Sequence, residues 1–168
     1  MTRLVLRLRR WYKGFFAAVD YLQTPFLLAV RLYWGWQLIE SGWGKLHNLP
    51  KVTDFFTSLN LPMPAQMAVF ISCVEFFGGL FLMLGLLSRL TALVLTVNLI
   101  MAYVIGDREA LKSFFSDPDK FAAAAPYVFL IASLIILIMG PGKICVDTLL
   151  DRILERHEPK EAGPFSYR

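Results

Sequence analysis

Residues 65–87 read AQMAVFISCVEFFGGLFLMLGLL, and this stretch decides the fold. At a rise of 1.5 Å per residue it crosses the roughly 30 Å hydrocarbon core of a bilayer, and Glu75 is its only charged residue. Three further apolar runs lie at residues 25–46, 90–106 and 121–140, of which 90–106 is near the lower length limit. The four runs predict an all-α integral membrane four-helix bundle.

The composition agrees with a chain that folds in lipid. Of the 168 residues, 57% are hydrophobic and 18% are charged, whereas soluble domains carry about 25% charged residues. An aromatic content of 14% excludes a disordered chain. Four spans leave no length for a second globular domain, so we expect a basic N-terminal segment (1–24), a four-span domain (25–142) and an amphipathic tail (143–168).

The distribution of lysine and arginine predicts the orientation. Eleven of these residues precede the first run, follow the fourth or lie in the turn after the second, whereas five lie in the loops at the opposite side. The positive-inside rule then predicts that both termini are cytoplasmic in a multi-pass protein of a bacterial cytoplasmic (inner) membrane. This topology accounts for the net charge of +4 without nucleic acid.

Three polar residues within the apolar runs form the first candidate site. Arg31, Glu75 and Asn98 lie at membrane depth, where ionisable groups are costly and mark functional sites. Their helical positions and depths predict a buried Arg31–Glu75 contact with Asn98 nearby. Two interpretations remain open: a structural ion pair that fixes helix register, or a polar pocket that binds a headgroup or relays a proton.

Helical periodicity adds two groups of supporting residues. The first combines small residues that allow close helix approach with charges at the predicted pocket rim: Gly35, Gly42, Gly78, Gly79, Lys45 and Arg89. The second lies on the opposite face of the first run and is either lipid-facing or a surface for a partner subunit or a quinone ring: Tyr33, Trp36, Glu40 and Trp43.

The residues offer no intrinsic cofactor or metal site. His47 and His157 lie outside the runs at opposite sides, which excludes a bis-histidine haem within the bilayer. Cys73 and Cys145 are expected to be too far apart for a disulfide. The sequence contains no P-loop, dinucleotide-binding or metal-ligand motif. A mobile or partner-held cofactor is therefore needed if electrons pass through the protein.

Four motifs in order resemble those of DoxX family membrane proteins. RLYWGWQLIESGWGKL (31–46) is similar to the family's opening R-L-x-x-G…G-x-x-K-L, and FFTSLNLPMP (55–64) to F-x-x-L-G-(I/L)-P-x-P. EFFGGL with LGLLSR (75–80, 84–89) resembles E-x-x-G-G-L…L-G-L-x-x-R, and GPGKICVD (140–147) resembles G-P-G-(K/R)-x-S-x-D. Asn60 replaces the loop glycine, Cys145 replaces the closing serine, and a histidine common near the end of the third run is missing.

The resemblance implies a four-helix membrane bundle and suggests a subunit of a quinone-linked oxidoreductase, because the family is named for a subunit of a thiosulfate:quinone oxidoreductase. Arg31 and Glu75 would then act on the quinone oxygens. Two alternatives are an interaction scaffold without catalysis and a small-solute carrier. The expected partners are the lipid bilayer and either a redox subunit or a second copy of the chain.

Overall fold

In the computed structural model, residues 2–157 are described, and every regular element among them is a helix. This confirms the all-α prediction. The helices are α1 (Thr2–His47), α2 (Leu49–Ser58), α3 (Pro64–Leu84), α4 (Ser88–Ile105), α5 (Arg108–Lys112), α6 (Pro118–Ala123), α7 (Pro126–Met139) and α8 (Val146–His157). Residues 158–168 of the predicted tail lie outside this range.

Four of these helices surround the core. The most extensive contact is between α1 and α3, followed by that between α4 and α7, while α3–α4 and α1–α7 contacts complete the ring. The largest fully buried hydrophobic side chains are aliphatic: Leu27, Leu38, Leu82, Leu95 and Ile136. We call the end of the ring that carries α2, α5 and α6 the α2 end, and the opposite end, at the α3–α4 turn, the α8 end.

Two helices, α3 and α4, are long and apolar enough to cross a membrane, and α7 is apolar but shorter. Helix α1 continues without interruption through Pro25, so the predicted N-terminal segment and first run form one helix. The large exposed side chains around the ring are mostly apolar. Such a surface is typical of proteins whose solvent is lipid.

The prediction of one continuous helix over 121–140 is wrong. The structure has two helices there, α6 and α7, and Ala124 between them is extended, with φ −66° and ψ 139°. Pro126 explains the break because proline has no N–H to donate and its ring clashes with the carbonyl four residues earlier. It occupies the first turn of α7, where neither property is harmful.

Two turns depend on left-handed backbone. Gly85 has φ +71° and ends α3 in a Schellman pattern, in which the Leu86 N–H bonds to the Phe81 carbonyl at 3.0 Å. Asn60, in the loop after α2, has φ +56°. Asparagine is among the few residues other than glycine that adopt this conformation readily. Its presence in place of the glycine of the DoxX-like motif therefore has a physical reason.

Candidate functional site

The buried charge at the centre of the ring is Glu75. It belongs to a stripe on α3 whose members recur every three or four residues and therefore share one face: Ala68, Ser72, Glu75, Gly79 and Leu82. The Glu75 side chain is 8% exposed, and Lys45 Nζ lies 2.5 and 2.6 Å from its two carboxylate oxygens. Ser41 Oγ, one turn before Lys45, donates to Oε2 at 2.9 Å. The buried carboxylate is thus charge-paired and hydrogen-bonded, as burial requires.

The predicted Arg31–Glu75 contact is wrong. Side chains on a helix lean towards its N-terminus, so Arg31 on α1 extends towards the α8 end, away from Glu75. Lys45, which the sequence places at the rim, leans from the α2 end towards the middle and reaches Glu75 instead. The direction of the side chains, rather than the depth of the Cα atoms, decides the pairing.

Arg31 binds backbone carbonyls at the α8 end. Its Nε donates to Leu82 O at 3.1 Å and its Nη2 to Met83 O at 3.3 Å, two carbonyls of the last turn of α3. Its Nη1 donates to Pro141 O at 2.6 Å and to Ile144 O at 3.0 Å, in the loop after α7. The last carbonyls of a helix lack intrahelical partners and carry partial negative charge. Arg31 donates hydrogen bonds to two of these carbonyls, and only 2% of its surface is exposed.

Asp147 makes a second connection at the same end. Its carboxylate accepts from Leu87 N at 2.6 Å, Ser88 N at 2.8 Å and Ser88 Oγ at 2.7 Å. These N–H groups are at the first turn of α4, where they lack helical acceptors. Its own N–H donates to Gly85 O at 3.0 Å. We call these contacts and those of Arg31 the Arg31–Asp147 network; they hold the loop after α7 and the first turn of α8 against the end of α3 and the start of α4.

The predicted small residues lie where two helices touch. A Cβ at Gly79 would be 2.8 Å from Gly35 O and from Ile39 N, so α1 and α3 meet backbone to backbone there. Gly42 faces the Phe76 backbone in the same way. Gly78 faces α4 instead, since its Cβ would meet Leu95 Cδ2 at 2.7 Å. These glycines therefore fix how closely α1, α3 and α4 approach.

A partly open cavity of about 400 Å³ lies beside Glu75 near the α2 end, between α2, α3, α4 and the start of α7, with Lys45 of α1 at its wall. Its polar lining includes Lys45, Glu75 and Asn98, so the structure brings two of the three predicted residues to one site. Asn98 is half-buried, and none of the hydrogen bonds found in residues 2–157 involves its amide. The remaining walls are mainly apolar and include Phe55, Phe56, Met67, Ile71, Met101 and Ile105.

Arg89 and the four predicted residues on the outer face of α1 do not line this cavity. Arg89 is exposed at the α8 end, where a Cβ at Gly140 would lie 3.6 Å from its Nη2, so its placement at the pocket rim is wrong. The turn that carries it is at the opposite end of the ring from Lys45. Tyr33, Trp36, Glu40 and Trp43 are exposed on the outside of α1, with exposed fractions of 60%, 55% and 54% for the three aromatic residues.

Sequence reasoning missed most of the residues that enclose the cavity. Ser41 carried a usable signal, since it lies one turn before Lys45 on the same face of α1. The α2 residues Phe55 and Phe56 begin the motif at 55–64, but nothing in their spacing indicates that α2 covers the cavity between α3 and α4. Lys51 and Asp107 complete the charged lining.

An all-helical ring with two membrane-length apolar helices and an ion pair in its interior is typical of helical membrane proteins. The DoxX family model matches residues 26–108, and the chain belongs to the DoxX family. This confirms the resemblance found in the sequence motifs; the closing motif at 140–147 lies outside the matched residues. Comparison with curated proteins and with solved structures gave no match.

Proposed function

We propose that α3, α4, α7 and the part of α1 from Pro25 onward span a bacterial cytoplasmic membrane, with both termini in the cytoplasm. The excess of eleven to five lysines and arginines supports this orientation. It puts the Arg31–Asp147 network at the cytoplasmic side and the α2 end, with its cavity, at the outer side. The 14 residues of α7 rise about 21 Å, and the adjoining α6 adds length at the outer side.

Within this topology, we propose that the protein is the quinone-binding membrane subunit of an oxidoreductase complex. One observation carries the proposal: a single cavity combines the Lys45–Glu75 pair and the unbonded Asn98 amide with aromatic and aliphatic walls. Ligand pockets for lipophilic molecules have this composition, with a few polar groups that fix orientation.

The residues present fit a quinone headgroup. A quinone ring carries carbonyl oxygens that accept hydrogen bonds, and the Asn98 NH2 group and the ammonium of Lys45 are donors at the cavity wall. The formal charges of Lys45 and Lys51 are balanced by those of Glu75 and Asp107, which favours a neutral ligand over an ion. A bound quinone supplies two-electron acceptor chemistry, and a partner subunit would hold the group that donates the electrons.

The exposed face of Tyr33, Trp36 and Trp43 supports the second candidate, an interaction scaffold, because aromatic residues on a helix exterior suit contact with another membrane helix as well as with lipid. The small-solute carrier has less support. Between the cavity and the α8 end the ring is filled by fully buried leucines such as Leu82 and Leu95.

The test is quinone binding to the full-length protein in lipid nanodiscs. We expect mass spectrometry of gently purified protein to find stoichiometric quinone, and Asn98→Leu to weaken the binding of a short-chain quinone about 2- to 10-fold, the equivalent of one lost hydrogen bond. Stability should be unchanged because the Asn98 amide has no bonded partner within residues 2–157. Gln66→Leu removes a matched amide from an exposed site on α3 and should have no effect. Wild-type protein that carries only phospholipid would contradict the proposal.

A further inference from the structure

Glu40 carries a carboxylate on the exposed outer side of α1, level with the middle of α3. Its neighbour in the chain, Ser41, donates to Glu75 at 2.9 Å, and a Cβ on Gly42 would collide with the backbone of Phe76. Glu75 is near the midpoint of α3 and, at 1.5 Å per residue, lies about 14–17 Å from the two ends of that helix. These contacts place Glu40 at half the height of the ring.

In the proposed spans this height is the middle of the bilayer, where an ionisable group that faces lipid is costly. Lysine and arginine can extend their long side chains to the interface, but the glutamate side chain is too short to do so. Among the residues that the structure describes, none forms a hydrogen bond or ion pair with the Glu40 carboxylate. Within that part of the chain, its charge therefore lacks the compensation that Lys45 gives to Glu75.

The surface around Glu40 has the composition of a contact between membrane helices. Tyr33, Trp36 and Trp43 share its side of α1 and are each more than half exposed. Gly44, one turn after Glu40, is also exposed, and a Cβ there would meet no atom within 4 Å. Small residues let a second helix approach closely, and aromatic residues are enriched in protein interfaces. We call these five residues the Glu40 face.

A second copy of the chain does not provide a partner for this charge. Symmetric pairing through the Glu40 face would bring two carboxylates together, and like charges repel. Two basic residues lie inside the ring and both are engaged, Lys45 with Glu75 and Arg31 with backbone carbonyls. The other lysines and arginines between residues 25 and 142 lie at the two ends of the ring: Lys51, Arg89, Arg108, Lys112 and Lys120. The opposite charge must therefore come from a different protein.

We infer that the Glu40 face binds a transmembrane helix of a different membrane protein, and that this helix places a lysine or arginine at the depth of Glu40. Both charges would otherwise face hydrocarbon, so their pairing lowers the free energy. The inference rests on the proposed spans for the depth of Glu40. It does not depend on the proposed quinone, because no residue of the Glu40 face lines the cavity.

The first test uses a designed transmembrane peptide of leucine and alanine with one central lysine, and a comparison peptide with leucine at that position. Energy transfer in lipid vesicles measures association, from a fluorescent protein at the C-terminus of the full-length chain to an acceptor on the peptide. We expect the lysine peptide to bind about 3- to 30-fold more tightly than the comparison peptide, the range for a polar contact between membrane helices.

Glu40→Leu should remove this preference, whereas Glu109→Leu, which removes an exposed carboxylate of α5, should leave it unchanged. Glu40→Lys should reverse it, so that a peptide with a central glutamate binds best. Glu40→Gln keeps the shape of the side chain without its charge and should weaken the preference, which provides a second variant if Glu40→Lys does not accumulate. Equal binding of both peptides to the wild-type protein, or a preference that persists in Glu40→Leu, would overturn the inference.

The second test is photo-cross-linking in native membranes. Benzoylphenylalanine replaces Trp36 on the Glu40 face or, as the matched control, Val97 on an exposed apolar face of α4. We expect position 36 to form an adduct with another membrane protein whose cross-linked apolar span contains lysine or arginine, Glu40→Leu to abolish this adduct, and position 97 to react with lipid. Adducts of position 36 with lipid alone, or with a second copy of the chain, would overturn the inference. Neither test requires quinone, so a failure of quinone binding is a separate result.

Discussion

Arg31 and Glu75 are both buried charges, but different kinds of group stabilise them. Glu75 has an ammonium partner, whereas Arg31 has four carbonyl oxygens and, within residues 2–157, no carboxylate in ion-pair contact. The planar guanidinium suits this task because it presents several donors in fixed directions. The network therefore depends on arginine itself and not only on a positive charge.

We expect Arg31→Lys to destabilise the protein by about 2–4 kcal/mol, because an ammonium cannot reach carbonyls on both α3 and the loop after α7 and hydrogen bonds to charged groups contribute about 1.5–3 kcal/mol each. Thermal or denaturant unfolding in detergent measures this. Arg89→Lys, at an exposed site of the same end, should change stability by less than about 0.5 kcal/mol. Equal effects of the two substitutions would show that the carbonyl contacts of Arg31 do not matter.

Cys145 stands where the DoxX-like motif has serine, and its contacts show why the exchange is tolerated. Its Sγ lies 3.0 Å from Thr148 Oγ1 and accepts from Thr148 N at 3.4 Å, just before the first turn of α8. A serine hydroxyl makes the same type of capping contact at a helix N-terminus. The thiol is therefore a weaker version of the same cap.

At the scale of elements, the packing of α1 on α3 depends on the absence of side chains. Gly79 and Gly35 bring the two backbones together, and this contact carries Ser41 and Lys45 to within hydrogen-bonding distance of Glu75. A longer distance between the helices would leave the carboxylate buried without its partners. The glycines therefore support the site although they do not line it.

We expect Gly79→Ala to destabilise the α1–α3 pair by about 1–3 kcal/mol, the usual cost of overpacking, because the new Cβ would lie 2.8 Å from backbone atoms of α1. Gly44→Ala, with open space around it, should instead stabilise α1 by up to about 1 kcal/mol through helix propensity. Unfolding measurements on the two variants should give shifts of opposite sign. Shifts of the same sign would rule out close packing as the role of Gly79.

The sequence predicts the helices and their buried faces better than it predicts which groups contact one another. Periodicity identifies the buried face of α3 with Glu75, Gly79 and Leu82, because a helix repeats every 3.6 residues whatever surrounds it. It does not identify carbonyls as the partners of Arg31, since backbone groups leave no pattern in the residue types. The position of α2 over the cavity is a tertiary contact with the same limitation, and the α6–α7 break required weighing Pro126 against an otherwise apolar run.

At the scale of the whole molecule, the two ends of the ring have different properties. The Arg31–Asp147 network joins the elements at the α8 end, whereas the α2 end has short helices and the cavity beside Glu75. In the proposed orientation the α8 end faces the cytoplasm and the end with the cavity faces outward.

We expect a fluorescent protein fused to either terminus to be fluorescent and alkaline phosphatase fused there to be inactive, because eleven lysines and arginines place both termini in the cytoplasm in the proposed topology. Paired fluorescent-protein and alkaline-phosphatase fusions measure this, and a reporter inserted after Asn60 should give the opposite signal. Phosphatase activity from a terminal fusion would contradict an even number of spans with cytoplasmic ends.

The Arg31–Asp147 network also has a consequence for the order in which the chain is made. In the proposed topology Arg31 enters the bilayer with the first span, but two of its acceptors, Pro141 and Ile144, lie 110 and 113 residues later in the chain. The N–H groups at the start of α4 are likewise synthesised about 60 residues before their acceptor, the carboxylate of Asp147. The ribosome must therefore translate as far as Asp147 before all these polar groups have their partners. A chain that ends before Pro141 therefore keeps only the two α3 carbonyls as acceptors for Arg31 and leaves the first N–H groups of α4 without Asp147.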